Sequence, residues 1–168
     1  DKQEEGVIAV YDLGGGTFDI SILRLNKGVF EVMATAGDTA LGGDDLDYAV
    51  AKWIMSEANI KDDTSHHQMR RLMRDACSAK EALSNADSTE LNIELDDSSN
   101  WEGSLTLEKF NELVAPLIQK TLLPCKRALR DAGVNVAEVQ SVVMVGGSTR
   151  VPDVRNKVSD FFEQEILT

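Results

Sequence analysis

Basic residues are scarce in this chain of 168 residues. Lys and Arg number 17 against 29 Asp and Glu, so the formal net charge is -12. Because nucleic-acid binding needs clustered cations that neutralise phosphates, this balance argues against a DNA- or RNA-binding protein. It leaves room for a small polyphosphate, since backbone N–H groups and a metal ion can hold one without lysine or arginine.

Cysteines and long apolar runs are also scarce. The two cysteines, Cys77 and Cys125, form no CxxC pair. We therefore expect neither a zinc site nor a disulfide framework, and a reducing compartment such as the cytoplasm fits best. No apolar run approaches the roughly 18 residues of a membrane span, and the opening DKQEEG does not look like a secretory signal. The remaining composition, 42% hydrophobic and 27% charged, is that of a globular protein.

Hydrophobic periodicity predicts a β-meander at the start of the chain. An apolar, β-rich run indicates a buried strand over 7–13, and alternation indicates a strand over 17–25. A third strand continues over 29–35, and glycine-containing turns join the three. Helical spacing or renewed alternation predicts the later elements. These are helices from about 42 and from 69 to 83, a hairpin over 90–95 and 101–107, a helical run from 106 to 133, a strand over 141–145 and a helix over about 151–162.

This order of elements predicts an α/β fold in which a mixed sheet is flanked by helices. Residues 42–119 are expected to form an inserted α+β subdomain between segments 1–41 and 120–168. Proline inside a helix costs about 3 kcal/mol, so we expect the helix to break at Pro116 and a new one to begin there. Pro124 is expected to add a kink, and the polar residues 62–67 to form a loop.

The turn between the first two predicted strands, Gly14-Gly15-Gly16, carries the strongest chemical signal. Glycines can adopt positive φ and approach a ligand closely, and their N–H groups attract phosphate. Thr17 adds a hydroxyl that can orient water or a phosphate oxygen. Asp12 and Asp19 flank the turn, and carboxylates at about 4 Å from phosphate are repelled by about 4 kcal/mol unless Mg²⁺ lies between them. The pattern predicts a magnesium–polyphosphate site, with a plain hairpin and solvated acids as the alternative.

Two further glycine-rich turns stand at the ends of predicted elements. Gly146-Gly147-Ser148 and Arg150 suit a nucleotide through N–H donors, a hydroxyl and a planar guanidinium, although taken alone they fit an ordinary strand-to-helix turn better. Gly42-Gly43, taken alone, fits a capped helix start. Together the three turns favour one ligand site. GxxxxGK[ST] is absent and GxGxxG is incomplete, so a hairpin would hold the phosphate.

The segments DLGGGTFDIS, GDTALGGDDLD and VVMVGGSTRVP resemble the seventy-kilodalton heat-shock (DnaK-type) chaperones, over essentially the whole chain. The resemblance implies the actin-like (ribonuclease H-like) ATPase fold and the second lobe of a nucleotide-binding domain, subdomains IIA and IIB. It implies ATP or ADP, Mg²⁺ and K⁺ as cofactors, with the first lobe and a substrate-binding domain in the same parent chain. ATP hydrolysis is expected of that parent and not of this lobe alone.

The resemblance also implies roles for individual residues. Asp12, Thr17 and Asp19 would be catalytic, with Asp12 holding Mg²⁺ and the lytic water and Asp19 a potassium or water site. Lys80 and Ser84, on the second predicted helix, match the family's adenosine-binding pattern. The expected nucleotide contacts are Gly14, Gly15, Gly16, Thr17, Gly43, Lys80, Ser84, Gly146, Gly147, Ser148 and Arg150.

Three positions depart from the family pattern. Cys77 replaces the glutamate that contacts ribose, Glu81 stands at a position that is usually basic or neutral, and Asp44 replaces a glutamate. The first two departures weaken the expected polar contacts to adenosine.

The segments ISILRL, LGGDDLD and TLLPCKRALRDAG are most similar to the bacterial branch of the family that serves iron–sulfur cluster assembly. That similarity implies a J-domain co-chaperone and an iron–sulfur scaffold protein as partners. Two alternatives remain open on the same fold. One is a lobe of a sugar or acetate kinase, for which no acceptor pocket is visible, and the other is a non-enzymatic, filament-forming actin-like protein.

Overall fold

The computed structural model describes residues 5–167. By contacts the chain divides into two compact units, Asp1–Gly43 with Pro116–Thr168 and Asp44–Ala115, whereas the sequence suggested boundaries after residues 41 and 119. Short 3₁₀ turns precede and follow the sixth strand. The strands and α-helices are β1 (Glu5–Leu13), β2 (Phe18–Asn26), β3 (Val29–Asp38), α1 (Gly43–Ala58), α2 (His66–Ala82), β4 (Ser88–Glu94), β5 (Asn100–Thr106), α3 (Leu107–Ala132), β6 (Val139–Val145), α4 (Pro152–Phe162) and β7 (Ile166–Leu167).

The first unit contains a five-stranded mixed sheet in the order β3-β2-β1-β6-β7. The pairs β1–β2 and β2–β3 are antiparallel, which confirms the predicted meander. β6 joins β1 in parallel, and the two-residue β7 joins β6 in parallel. The sequence did not indicate β7, because two residues are too short for a periodic pattern.

The core of this unit lies on one face of β1 and β2. Alternate residues of β1 are buried, and the register partners of Ala9, Tyr11 and Leu13 are buried with them. These partners in β2 are Ile22, Ile20 and Phe18. Tyr11 packs against Phe18 with ring centroids 4.7 Å apart. The Tyr11 hydroxyl donates to Thr121 Oγ1 over 2.7 Å, which joins this face to α3. The opposite face of β1 carries Asp12 and is only partly buried.

The second unit contains α2 and the β4–β5 hairpin, together with most of α1 and the start of α3. α2 begins at His66 because the Ser65 side chain caps it, accepting the Gln68 N–H over 3.0 Å. The prediction of a loop over residues 62–67 is therefore wrong for His66 and His67. Both side chains are exposed in the first turn of the helix, and Ser65 was the overlooked start signal.

Helix α3 is continuous through both of its prolines, so the predicted break at Pro116 is wrong. Each proline removes one N–H from the helix and adds a steric cost. The helix extends well beyond the prolines in both directions, and Val114 and Ile118, on either side of Pro116, are buried. Burial of such side chains contributes about 1.5–3 kcal/mol each, enough to offset the cost. No helix within residues 5–167 is both long and apolar enough to cross a membrane.

Candidate functional site

The turn between β1 and β2 consists of residues 14–17 and is open to solvent. The Gly14 N–H donates to Thr17 O over 3.1 Å, which closes the turn, while Gly15, Gly16 and Thr17 are exposed. Gly14 and Gly16 lack the positive φ that the sequence suggested, and a Cβ at either would meet nothing closer than 3.7 Å. Backbone strain therefore does not explain these two glycines. What their missing side chains provide is a bare outer surface on the turn.

A positive φ occurs instead at Gly146, directly after β6 (φ 97°). A Cβ at this position would lie 2.3 Å from Leu13 O and 2.7 Å from Leu13 C, so only glycine fits against the base of the turn. The Thr149 N–H and hydroxyl both donate to Gly146 O, over 3.1 and 2.6 Å. These bonds hold the short turn Gly147–Arg150 beside the end of β1.

The third glycine pair, Gly42-Gly43, reaches the same place. The Gly43 N–H donates to Gly14 O over 2.7 Å. A Cβ at Gly43 would lie 2.0 Å from Ser148 Oγ, and a Cβ at Gly42 would lie 2.6 Å from Gly15 O. The three glycine-rich turns, distant in sequence, therefore meet within the first unit.

Asp12 and Asp19 are register partners next to the turn. Directly opposed residues of an antiparallel pair project from one face of the sheet, so both carboxylates lie on the face opposite the Tyr11 core. Asp12 is half-buried, and its Oδ1 lies 3.2 Å from the Cβ position of Gly146. Asp19 is exposed, and its Oδ1 lies 3.0 Å from the Cβ position of Gly37 on β3.

The protein alone supplies few ligands for a metal ion here. Within residues 5–167, no three His, Cys, Asp or Glu side chains are grouped so that they could hold one. Mg²⁺ can accept a pair of carboxylates because it usually keeps several waters and adds phosphate oxygens. The donor set at Asp12 and Asp19 therefore fits magnesium bound together with a polyphosphate. Their roles as metal ligands stay predictions.

The predicted nucleotide contacts in the turn that follows β6 differ in their exposure to solvent. Gly147 and Arg150 are exposed, and nothing lies within 4 Å of a Cβ at Gly147. Ser148 is only 5% exposed, and its hydroxyl lies against Gly43. The Gly147 backbone and the Arg150 guanidinium are thus accessible to a ligand, whereas the Ser148 hydroxyl packs among the converging turns.

Lys80 belongs to the second unit, where its ammonium lies 2.8 Å from Asp47 Oδ1. The two side chains are 11% and 8% exposed, respectively. The two groups therefore form a largely buried ion pair. Burial raises the pKa of Asp47, and the hydrogen bond and charge of Lys80 oppose that shift. This pairing was not predicted from the sequence.

Ser84 and Cys77 also lie in the second unit. The sequence suggested that Ser84 lies on α2. The helix ends at Ala82, so Ser84 lies in the turn that follows it. The Ser84 N–H donates to Glu81 O over 3.2 Å. The Cys77 thiol donates to Glu81 Oε1 over 3.7 Å. Burial, followed by the charge of Asp47, raises the pKa of Cys77, so this thiol stays protonated at neutral pH.

Comparison with known proteins gives a family for this arrangement. The family profile described as Hsp70 protein matches residues 1–168. The chain is 57% identical over 168 residues to Chaperone protein HscA of Shigella boydii serotype 18, to that of Shigella boydii serotype 4, and to that of Escherichia coli strain K12 / DH10B. Each match covers 100% of this chain and 26% of the relative, so the chain spans about a quarter of the length of these curated relatives.

Proposed function

Since this chain belongs to the Hsp70 family, we propose that it is the second lobe of the ATP-binding domain of an HscA-type chaperone. Its mixed sheet flanked by helices is the family's actin-like ATPase fold. The parent protein hydrolyses ATP by in-line attack of water on the γ-phosphate. This lobe alone supplies only part of that site, and we expect no significant turnover from it.

The observation that carries this proposal is the meeting of three glycine-rich turns beside Asp12. Gly14 and Gly16 carry no positive φ and no tight contact that would require glycine, so the bare backbone of the turn serves something outside the protein. Backbone N–H groups in such a turn attract anions. The exposed Thr17 hydroxyl stands beside them and can orient a phosphate oxygen or the attacking water.

Asp12 and Asp19 are the residues of this lobe that would hold the metal. Bound Mg²⁺ bridges phosphate oxygens and neutralises the charge that develops on them. Asp12, half-buried beside Gly146, is placed to orient that ion or a water next to the turn. Asp19 is exposed on the same face, and we assign it to K⁺ or to a second ordered water.

In the first unit, the adenosine end of the ligand is assigned to Gly146, Gly147 and Arg150. For Lys80 and Ser84, the adenosine contact stays a prediction from the family resemblance. The exposed guanidinium of Arg150 can stack on a base. The 57% identity to HscA supports a role in iron–sulfur cluster assembly, with a J-domain co-chaperone and an iron–sulfur scaffold as partners, in the cytoplasm.

Thr17→Ala and Gly16→Val in the full-length parent test the phosphate site. Thr17→Ala should lower ATP turnover with little change in stability, because an exposed hydroxyl contributes within about 0.5 kcal/mol. Gly16→Val should lower ADP affinity although the protein itself has room for the side chain. Turnover is measured by phosphate release and affinity by calorimetry.

Thr35→Ala is the matched control, since Thr35 is an exposed threonine on β3 outside the turn. It should leave turnover and affinity unchanged. Normal turnover in Thr17→Ala would remove Thr17 from the chemistry. Normal ADP affinity in Gly16→Val would contradict a phosphate site at this turn.

A further inference from the structure

We infer that Gly42 is a positioning residue for the phosphate-binding turn, an inference that rests on the proposed function of that turn. Gly42 stands just before α1, is buried, and is not among the residues assigned to the nucleotide. Its φ lies outside the positive range that favours glycine. Backbone conformation therefore does not require glycine here. The requirement for glycine must come from packing.

The packing partner of Gly42 is the main chain of the turn itself. A Cβ at Gly42 would lie 2.6 Å from Gly15 O, 2.6 Å from Gly16 C and 2.7 Å from Thr17 N. These are three successive backbone groups, so no rotamer change can relieve the overlap. An ordinary contact between such atoms needs about 3.5 Å. An alanine at this position must therefore push the turn and the Gly42 segment apart by nearly 1 Å.

Neighbouring contacts prevent the turn from yielding freely. The Gly43 N–H holds Gly14 O at 2.7 Å. Behind the turn, the Gly146 backbone packs closely against Leu13, because a Cβ added at Gly146 would lie 2.3 Å from Leu13 O. The turn therefore has little space to move in that direction. A side chain at position 42 would therefore distort the exposed residues 15–17, whose backbone and Thr17 hydroxyl are assigned to the phosphates. Displacement of a positioned group by about 1 Å can cost about 10²-fold in rate.

The test is Gly42→Ala in the full-length parent, with ADP and adenosine titrated separately by calorimetry in the presence of Mg²⁺. Only ADP carries the phosphates that the turn would hold. We expect ADP affinity to fall by about tenfold or more and the rate of ATP hydrolysis by up to about 10²-fold. Adenosine affinity should stay unchanged. A merely structural role would lower both affinities together.

Gly28→Ala is the matched control, because Gly28 has φ 79° in the β2–β3 turn and nothing within 4 Å of its Cβ position. It should lower the melting temperature without changing the ratio of ADP to adenosine affinity. Equal loss of both ligands in Gly42→Ala, or unchanged ADP affinity, would overturn the inference. A wild-type parent that binds no nucleotide would instead overturn the proposed function.

If Gly42→Ala does not fold, Asp38→Ala decides the question. Asp38 Oδ1 accepts the Ala40 N–H over 2.8 Å, and Asp38 O accepts the Leu41 N–H over 3.4 Å. Removing the exposed side-chain bond loosens the turn that leads into Gly42 with little cost in stability. A loss of affinity confined to ADP supports the inference, and an unchanged affinity ratio overturns it.

Discussion

The buried hydrogen bond between Tyr11 and Thr121 links β1 to α3, and we expect its removal to destabilise the chain. Both side chains are almost fully buried, at 0% and 1% exposed. The Tyr11 hydroxyl donates to Thr121 Oγ1, and the Thr121 hydroxyl donates to Ile118 O, each over 2.7 Å. Burial raises the pKa of Tyr11, so the phenol stays protonated and keeps its donor at neutral pH.

The three variants of this pair should differ in a definite order. Tyr11→Phe removes one hydrogen bond and should cost about 1 kcal/mol. Thr121→Val keeps the shape but leaves a buried phenol without an acceptor, which should cost about 2 kcal/mol or more. The double variant replaces both partners by apolar groups, so its loss should be smaller than that of Thr121→Val alone.

Urea unfolding of the chain, followed by circular dichroism, measures these differences as shifts in midpoint at constant slope. Tyr48→Phe is the matched control, because Tyr48 is 48% exposed and its loss should be within about 0.5 kcal/mol. Additive losses in the double variant would refute the reasoning. So would a larger loss for Tyr11→Phe than for Thr121→Val.

Two further predictions concern the ion pair of the second unit and α3. Lys80→Met should destabilise the chain by about 3 kcal/mol at pH 7, because it leaves the Asp47 charge buried and unpaired. Removing Lys80 should raise the already raised pKa of Asp47 further. The stability of the variant should therefore recover as the pH falls below that pKa and Asp47 becomes protonated. A loss of stability that does not depend on pH in thermal melts would contradict this. Pro116→Ala should raise the free energy of unfolding by about 1 kcal/mol or more, because it restores one helix N–H, and an unchanged melting temperature would count against that account.

Most secondary-structure elements were predictable because their patterns are local. The apolar run over 7–13 and the alternation over 17–25 indicated two strands, and the glycines between them indicated a turn. The predictions failed where packing between distant residues outweighed the local cost of a proline, or where a strand was too short to show a periodic pattern. Pro116 was expected to end a helix, but buried residues on both sides of it stabilise the continuous α3. β7 pairs through only two residues with β6.

The candidate site was predictable as a set of motifs but not as an arrangement. Each glycine-rich turn could be found from its letters, and Asp12 and Asp19 from their positions beside the first turn. The importance of Gly42 could not, because a glycine has no side chain that signals what it touches. Asp47 likewise gave no signal, since its partner Lys80 is remote in the sequence.

The amino-acid sequence by itself determined which segments form strands, helices and turns, and which turns have a bare backbone suited to an anion. It did so because period, capping and glycine content act over a few residues. Only the tertiary structure decided that Gly42, Gly43 and Gly146 close around the 14–17 turn. That contact depends on the parallel pairing of β6 with β1, which joins segments more than a hundred residues apart.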